Sequence, residues 1–390
     1  MFSKTLFILL ILFSTPMYTV VDIEAIDFHI PSQINPSKPM VRGPIYIDGD
    51  EDFTIENGVS SGNGTIDNPY LIHNFIIRIR FPDVFREKEL AGISIRNTSA
   101  YFIIEDVKLE FIDGIICYYY FYNFLDKRIR AINLHNVTNG SIENVRIKGF
   151  YQAINIENNS CNNIIENVNV SRSFCGIGAN RGSNYNLIQD CHTKTYGCGI
   201  CLWDNVTCNI VRNCSCEWSG FNIHKSHDNI IINCTSSHCG RYGVSIYGNE
   251  GFGLRIYSGS YNNTIRNCVF IDNRLGVKIY GESNRNKVYY NDFIDNDQQA
   301  YDECVNQWDN SLEGNYWSDY NGSDSNNDGI GDTAYLIPGG DNKDRYPLMH
   351  PINYFFYPSS IEKEDFFYQK ILNFTSTPYL ETGGPKYGFR

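Results

Sequence analysis

The stretch SDSNNDGIGD, residues 323–332, spaces its side-chain oxygens as a calcium loop does. Asp324, Asn326, Asp328 and Asp332 stand at positions one, three, five and nine, with Gly329 at six where the chain must turn sharply. Position twelve is Tyr335 rather than Glu, so this is not an EF-hand, and a bidentate ligand would have to come from Asp341 or Asp344. The expectation is a structural Ca2+ that pins a cap over the end of the fold; an Asn/Asp turn without metal is the alternative. A second pair, Glu143 and Glu166, recurs just before one repeated position. Stacked carboxylates roughly 5 Å apart would suit a retaining glycosidase, and the plainer reading is a solvated acidic edge. Aromatic side chains could instead hold sugar: Trp203, Tyr247 and Tyr280 each follow a short alternating segment, and their faces can stack on sugar C–H surfaces. Trp218 and His238 would form a second such column.

A repeat positions these residues. SIENV (141–145), IIENV (164–168), LIQDC (187–191), IVRNC (210–214), IIINC (230–234), TIRNC (264–268) and KVYYN (287–291) are copies of one pattern, with weaker copies at LIHNF (71–75) and IIEDV (103–107). Its fourth position falls at Asn144, Asn167, Asp190, Asn213, Asn233, Asn267 and Tyr290, mostly 23 residues apart, with one spacing of 20 and one of 34 that implies an insertion near GNEGFGLRIYS. A second alternating segment follows most marks: AINI (153–156), GIGA (176–179), GICL (199–202), GVSI (243–246) and GVKI (276–279). Short strands joined by Asn/Gly bends leave no room for a crossover helix, so each strand should pair with its own copy one coil further on. The expectation is an all-β parallel β-helix, a single solenoid of about nine coils, on the order of 40 to 45 Å long. Stacking in register further predicts Asn ladders at the bends and an interior thiol file from Cys191, Cys214, Cys234 and Cys268, with Cys175 and Cys198 as a second, reduced stack.

The 390-residue chain carries a net charge of −12 and no basic stripe, which speaks against a nucleic-acid partner. It opens with MFSKTLFILLILFSTPMY, in which one cation, Lys4, precedes an apolar run from Leu6 to Phe13 that is shorter than the roughly 20 residues needed to span a bilayer. Residues 1–21 therefore read as a secretion signal, with an uncleaved N-terminal anchor as the one route to a membrane. Residues 22–69 are expected to cap the first coil, 70–312 to form the repeats, 313–350 to cap the last coil, and 351–390 to form a tail containing a short amphipathic segment at 360–374. The protein is expected to be secreted, at the cell surface or periplasmic.

The repeat N-x-I-x-N-C followed by GI-x-I, together with GNYWSDYNGSDSNNDGIGDTAYLIPGGDNKDRYPLM (314–349), resembles the NosD-type right-handed parallel β-helix proteins, within the wider group of carbohydrate-binding and sugar-hydrolase β-helices. The resemblance implies an exported right-handed β-helix; the family namesake is associated with copper delivery to nitrous oxide reductase. Copper, if handled, would draw on Cys201 and His224, which by alternation point outward on adjacent coils. The expected function is a binding or surface-structural module that recognises glycans or a cell-envelope component. The alternatives are a polysaccharide lyase or glycoside hydrolase using Glu143 and Glu166, and a copper-handling envelope protein.

Overall fold

The computed structural model describes residues 38–80, 91–112, 129–240 and 251–352; the signal or anchor segment, Tyr247 and the 360–374 segment lie outside the described residues. Each coil presents three strand faces. Ile164–Glu166 forms the first face of its coil, the chain turns at Asn167, and Asn169–Asn180 runs through the second and third faces with register shifts around Ser173. Elsewhere the second and third faces are separate strands, as in Ser215–Glu217 and Phe221–His224. First-face strands stack into a nine-stranded sheet, and the other two faces together form a 19-stranded one.

Each strand lies parallel to its own copy. On the first face Ile72, Ile104, Ile142, Ile165, Ile188, Val211, Ile231, Ile265 and Val288 are successive register partners, and all are at most 1% exposed. Burying each such side chain stabilises the fold by about 1.5–3 kcal/mol, which is why a one-residue slip, exposing the whole file, is excluded. Cys191, Cys214, Cys234 and Cys268 sit in the same core as Val145 and Val168, as free thiols that burial keeps from water.

The repeated Asn/Asp has a backbone cause. Asn144, Asn167, Asp190, Asn213, Asn233 and Asn267 all adopt φ between 50° and 55°, the left-handed region that Asn and Asp tolerate best among residues with a Cβ. A second Asn file is fully buried. Asn163, Asn186, Asn209, Asn229, Asn263 and Asn286 each use Oδ1 to accept from a neighbouring coil and Nδ2 to donate to the next Asn and to a backbone carbonyl. The glycines opening GI-x-I have a steric cause: a Cβ at Gly176, Gly199, Gly220, Gly253 or Gly276 would collide with a backbone carbonyl of the next coil.

That glycine file corrects the phase of the repeat after residue 233. The strand in register with Phe221–His224 and Leu275–Ile279 is Phe252–Tyr257, so the segment aligned with GICL is GLRI (253–256) rather than GVSI. Pairing also begins before residue 70, because Met40–Arg42 and Ile45–Asp48 align with Phe75–Ile79 and Ala91–Thr98. At the far end Tyr316–Trp317 pairs with Asp292–Ile294, and Trp317 stacks between Phe293 at 4.2 Å and Tyr335 at 4.1 Å. Two buried carboxylates hold this cap: Asp302 accepts from the Trp308 indole, and Asp344 from the Trp317 indole and the Asn315 backbone.

Candidate functional site

The third face carries long outward columns that mix amides, cations and aromatic rings. One runs Ser94, Asn133, Asn155, Gly178, Cys201, Asn222, Arg255, Lys278, Tyr301, each the register partner of the next. Two residues further along each strand, His135 lies beside Glu157, and Asn180, Trp203, His224 and Tyr257 are successive partners. Tyr257 then stacks on Tyr280, with ring centroids 5.4 Å apart and planes 8° from parallel. Trp203 and Tyr280 thus share the predicted aromatic column, and His224 and Tyr257 occupy the places between them.

Near the first half of this face several charged groups gather around one carboxylate. Glu157, 5% exposed, faces Arg181 Nη1 at 3.3 Å, His135 Nδ1 at 3.4 Å and Arg130 Nη1 at 3.6 Å. Burial alone would raise its pKa, but Arg130, hydrogen bonds from His135 and Asn155, and Arg181 together hold the carboxyl below its usual range. It is therefore a fixed anion that organises two arginines rather than a proton donor. Where these strands end, Asn159, Arg181, Gly182, Asp204, Asn205 and Lys225 line an open depression of about 580 Å³. Left-handed φ at Asn159, Arg181, Asp204, Asn205 and Lys225 brings these bends into one file.

The middle of the face is apolar. Phe174, Cys175, Tyr196, Cys198, Cys201 and Trp218 form a second buried cluster on the outside of the coil, with Tyr151 and Trp203 packed against it. Cys198 is bonded to Cys201 within one strand, so the expected reduced stack of Cys175 and Cys198 is not present as such, although the two remain register partners. Trp218 is buried in this cluster beneath Lys194, whose Nζ lies 4.4 Å from the ring centroid, which makes it packing rather than an open platform. His238 pairs with Asp272 at 3.5 Å.

Cys201 and His224 do point outward on adjacent coils, but they are offset. Cys201 pairs with Asn222 and His224 with Trp203, while His224 Nδ1 lies 3.4 Å from Asp204. Burial, with Lys225 and Arg255 nearby, keeps the His224 pKa below the usual value against the pull of Asp204. Glu143 and Glu166 are register partners in the column Glu105, Glu143, Glu166, Gln189, Arg212 of the first face, half-buried, with Ser141 donating to Glu143. In the 323–332 loop, Asp324 accepts from the backbone of Asp328 and Gly329, Asn326 donates to Asp328, and Asp332 accepts from Ser323 and Ser325. Among the described residues no three His, Cys, Asp or Glu side chains converge on a point where a metal ion could sit.

The Glu157 network and Tyr257 were not foreseen from sequence. Tyr257 had a signal: Gly253 lies 14 residues before the mark at Asn267, as Gly176 does before Asp190, so counting back from the later mark finds the strand.

The fold and this face define an all-β parallel β-helix with long polar and aromatic columns on one outer face. The chain belongs to the family described as periplasmic copper-binding protein (NosD), which matches residues 112–322, more than half of its length, and this places it among periplasmic or secreted proteins. It is 41% identical over 108 residues to the probable ABC transporter binding protein NosD of Stutzerimonas stutzeri and 39% identical over 108 residues to that of Pseudomonas aeruginosa. Each match covers 27% of this chain and 24% of the relative, so the chain aligns with about a quarter of the curated relatives' length. Among solved structures it is similar to the A-module of Azotobacter vinelandii mannuronan C-5 epimerase AlgE6 (13% identity, TM-score 0.44, covering 60% of this chain and 63% of that one). It is also similar to pectate lyase Pel9A (15% identity, TM-score 0.41, covering 71% and 75%). No described helix is long and apolar enough to cross a membrane.

Proposed function

We propose that this chain is an exported binding module whose third face recognises a glycan laid along the axis of the coil. The observation that carries this reading is the Tyr257–Tyr280 stack, continuous in register with His224 and Trp203 and bordered by Asn222, Arg255 and Lys278. Coils repeat every ~4.8 Å, so a ring and a hydrogen-bonding side chain recur at a spacing comparable with one sugar residue of an extended polymer. The test is a glycan array on the secreted protein, repeated with Tyr257→Ala and Tyr280→Ala. Hits that survive both substitutions would place binding elsewhere.

A second reading, a polysaccharide lyase or glycoside hydrolase, is favoured by one observation: Glu143 and Glu166 are direct register partners. Turnover of an array hit that is abolished by Glu143→Gln or Glu166→Gln would establish it, and binding without turnover would remove it. The family description supports a copper-handling role; among the described residues no three His, Cys, Asp or Glu side chains converge on one point. Ser323 and Ser325 donate to Asp332 Oδ2 alone, which leaves Oδ1 for calcium at the 323–332 loop. A chelator-reversible rise in Tm on adding Ca2+ checks that structural role.

A further inference from the structure

The outward side of the first face is complementary to itself. The middle residue of each of its three-residue strands points into the core and the flanking two point out, so the strands build two outward columns. One column is aliphatic over four successive coils, Ile164, Leu187, Ile210 and Ile230, and Ile230 is 37% exposed. An aliphatic stripe of this kind on an outer sheet marks an interaction surface. The other column changes sign along the coil axis. Glu105, Glu143 and Glu166 precede Gln189, while Arg212, Ile232 and Arg266 follow it, so acid lies on one side of the Gln189 coil and base on the other.

We propose that this face binds a second copy of the chain, as a two-fold dimer whose axis runs along the Leu187–Gln189 strand. A half-turn about that direction sets the two sheets face to face with their strands aligned and the order of the coils reversed. Each column then meets its own copy in reverse. Leu187 meets Leu187 on the axis, and Ile164 meets Ile210. Glu166 meets Arg212 and Glu105 meets Arg266, each pair formed twice; Glu143 faces Ile232, with Arg212 and Arg266 one coil to either side. Ser141, opposite Ile230, donates to Glu143 at 2.9 Å, so its hydroxyl is not stranded against the aliphatic stripe. Arg212 donates from Nε to Gln189 Oε1 at 2.7 Å, which fixes the guanidinium on the face and leaves its Nη pair for a carboxylate. A two-fold along the coil axis would instead set the aliphatic column against the charged one, and is excluded by the cost of burying those charges unpaired. Two chains of net charge −12 repel at long range, so association depends on this local pairing of opposite charges. Six spacings of ~4.8 Å make the paired part of the face roughly 30 Å long, enough for an interface at the small end of the specific range. The dimer covers Glu143 and Glu166 and leaves both third faces outward, so it is independent of the glycan-binding reading and incompatible with a hydrolase acting on a polymer through that acidic pair.

The experiment is sedimentation velocity of the full secreted chain from about 1 μM to about 1 mM. The parent is expected to pass from monomer to dimer within that range. Leu187→Glu sets two carboxylates against each other on the axis, and Glu166→Arg and Arg212→Glu each turn both copies of one ion pair into like charges; each is expected to weaken the dimer at least about tenfold. The two charge variants mixed in equal amounts are expected to regain a dimer, because every contact between positions 166 and 212 of the mixed pair then joins an arginine to a glutamate. Recovery on mixing also shows that neither variant is merely misfolded. A parent that stays monomeric across the range would overturn the proposal and leave the face to a different partner. A dimer unchanged by Leu187→Glu would place the contact on another face, and charge variants that stay monomeric when mixed while the parent dimerises would overturn the two-fold arrangement.

Discussion

Replacing Asn209 by Leu removes one rung of the buried amide file while keeping a side chain of similar size. In the native coil Asn209 Oδ1 accepts from the Asn186 backbone N–H at 2.9 Å and from Asn186 Nδ2 at 3.1 Å, and its own Nδ2 donates to Ser183 O, Thr207 O and Asn229 Oδ1. Leucine strands two donors of Asn186 in a site that is fully buried. At roughly 1–3 kcal/mol for each unsatisfied buried donor the loss is about 2–6 kcal/mol, and burying the leucine returns up to about 2. Taken at midrange, about 4 kcal/mol lost against about 1 returned, a net destabilisation of about 3 kcal/mol is expected, read as a lower midpoint in urea denaturation followed by far-UV circular dichroism. The control is Asn144→Gly. Asn144 accepts from Asn167 in an exposed file at a φ of 55°, a backbone that glycine adopts freely, so its change should stay within about 0.5 kcal/mol. If the two variants shift the midpoint equally, or if Asn209→Leu matches the parent, the buried file does not hold the coils together as argued.

Alkylation of the native protein should leave Cys191, Cys214, Cys234 and Cys268 unmodified, because they are at most 2% exposed; after denaturation without reductant, mass spectrometry should find them alkylated and Cys198 and Cys201 protected. Labelling of the four in the native state would contradict their interior placement. Burial pushes the Asp344 carboxyl up to about 6 despite its hydrogen bonds from Asn315, Trp317 and Tyr346. Since an unfolded aspartate titrates near ~3.9, the folded chain holds the extra proton between about pH 4 and 6, and its stability relative to Asp344→Asn should fall across that window by about 3 kcal/mol. A parent-minus-variant difference that is flat from pH 4 to 7 would show that Asp344 is not the buried acid of the cap.

Much of this structure is legible in the sequence because the repeat is short and its constraints are local. A left-handed bend selects Asn or Asp, a backbone crossing selects Gly, and alternation separates core from surface; these three signals place the first-face strands, the marks and the column of Glu143 and Glu166 without any knowledge of packing. Phase is harder. The insertion that displaces Phe252–Tyr257 leaves both GVSI and GLRI as alternating segments after a glycine, and only the closer count to the following mark separates them. Outward cover is not written in the repeat at all. Cys201 alternates outward as expected, yet it is buried because Tyr151, Phe174, Tyr196 and Trp218, from neighbouring coils and bends, close over it. The Glu157 cluster is hidden for the same reason: Arg130, His135 and Arg181 come from coils on either side, and nothing in the local spacing joins them.

The third face as the glycan-binding surface is tested most directly by a crystal structure of the chain soaked with an oligosaccharide that scores on the glycan array. The sugar should lie along the Tyr257–Tyr280 stack, with hydroxyls within hydrogen-bond distance of Asn222 or Arg255. Sugar bound instead across Glu143 and Glu166 on the first face, with Tyr257 and Tyr280 untouched, would contradict it.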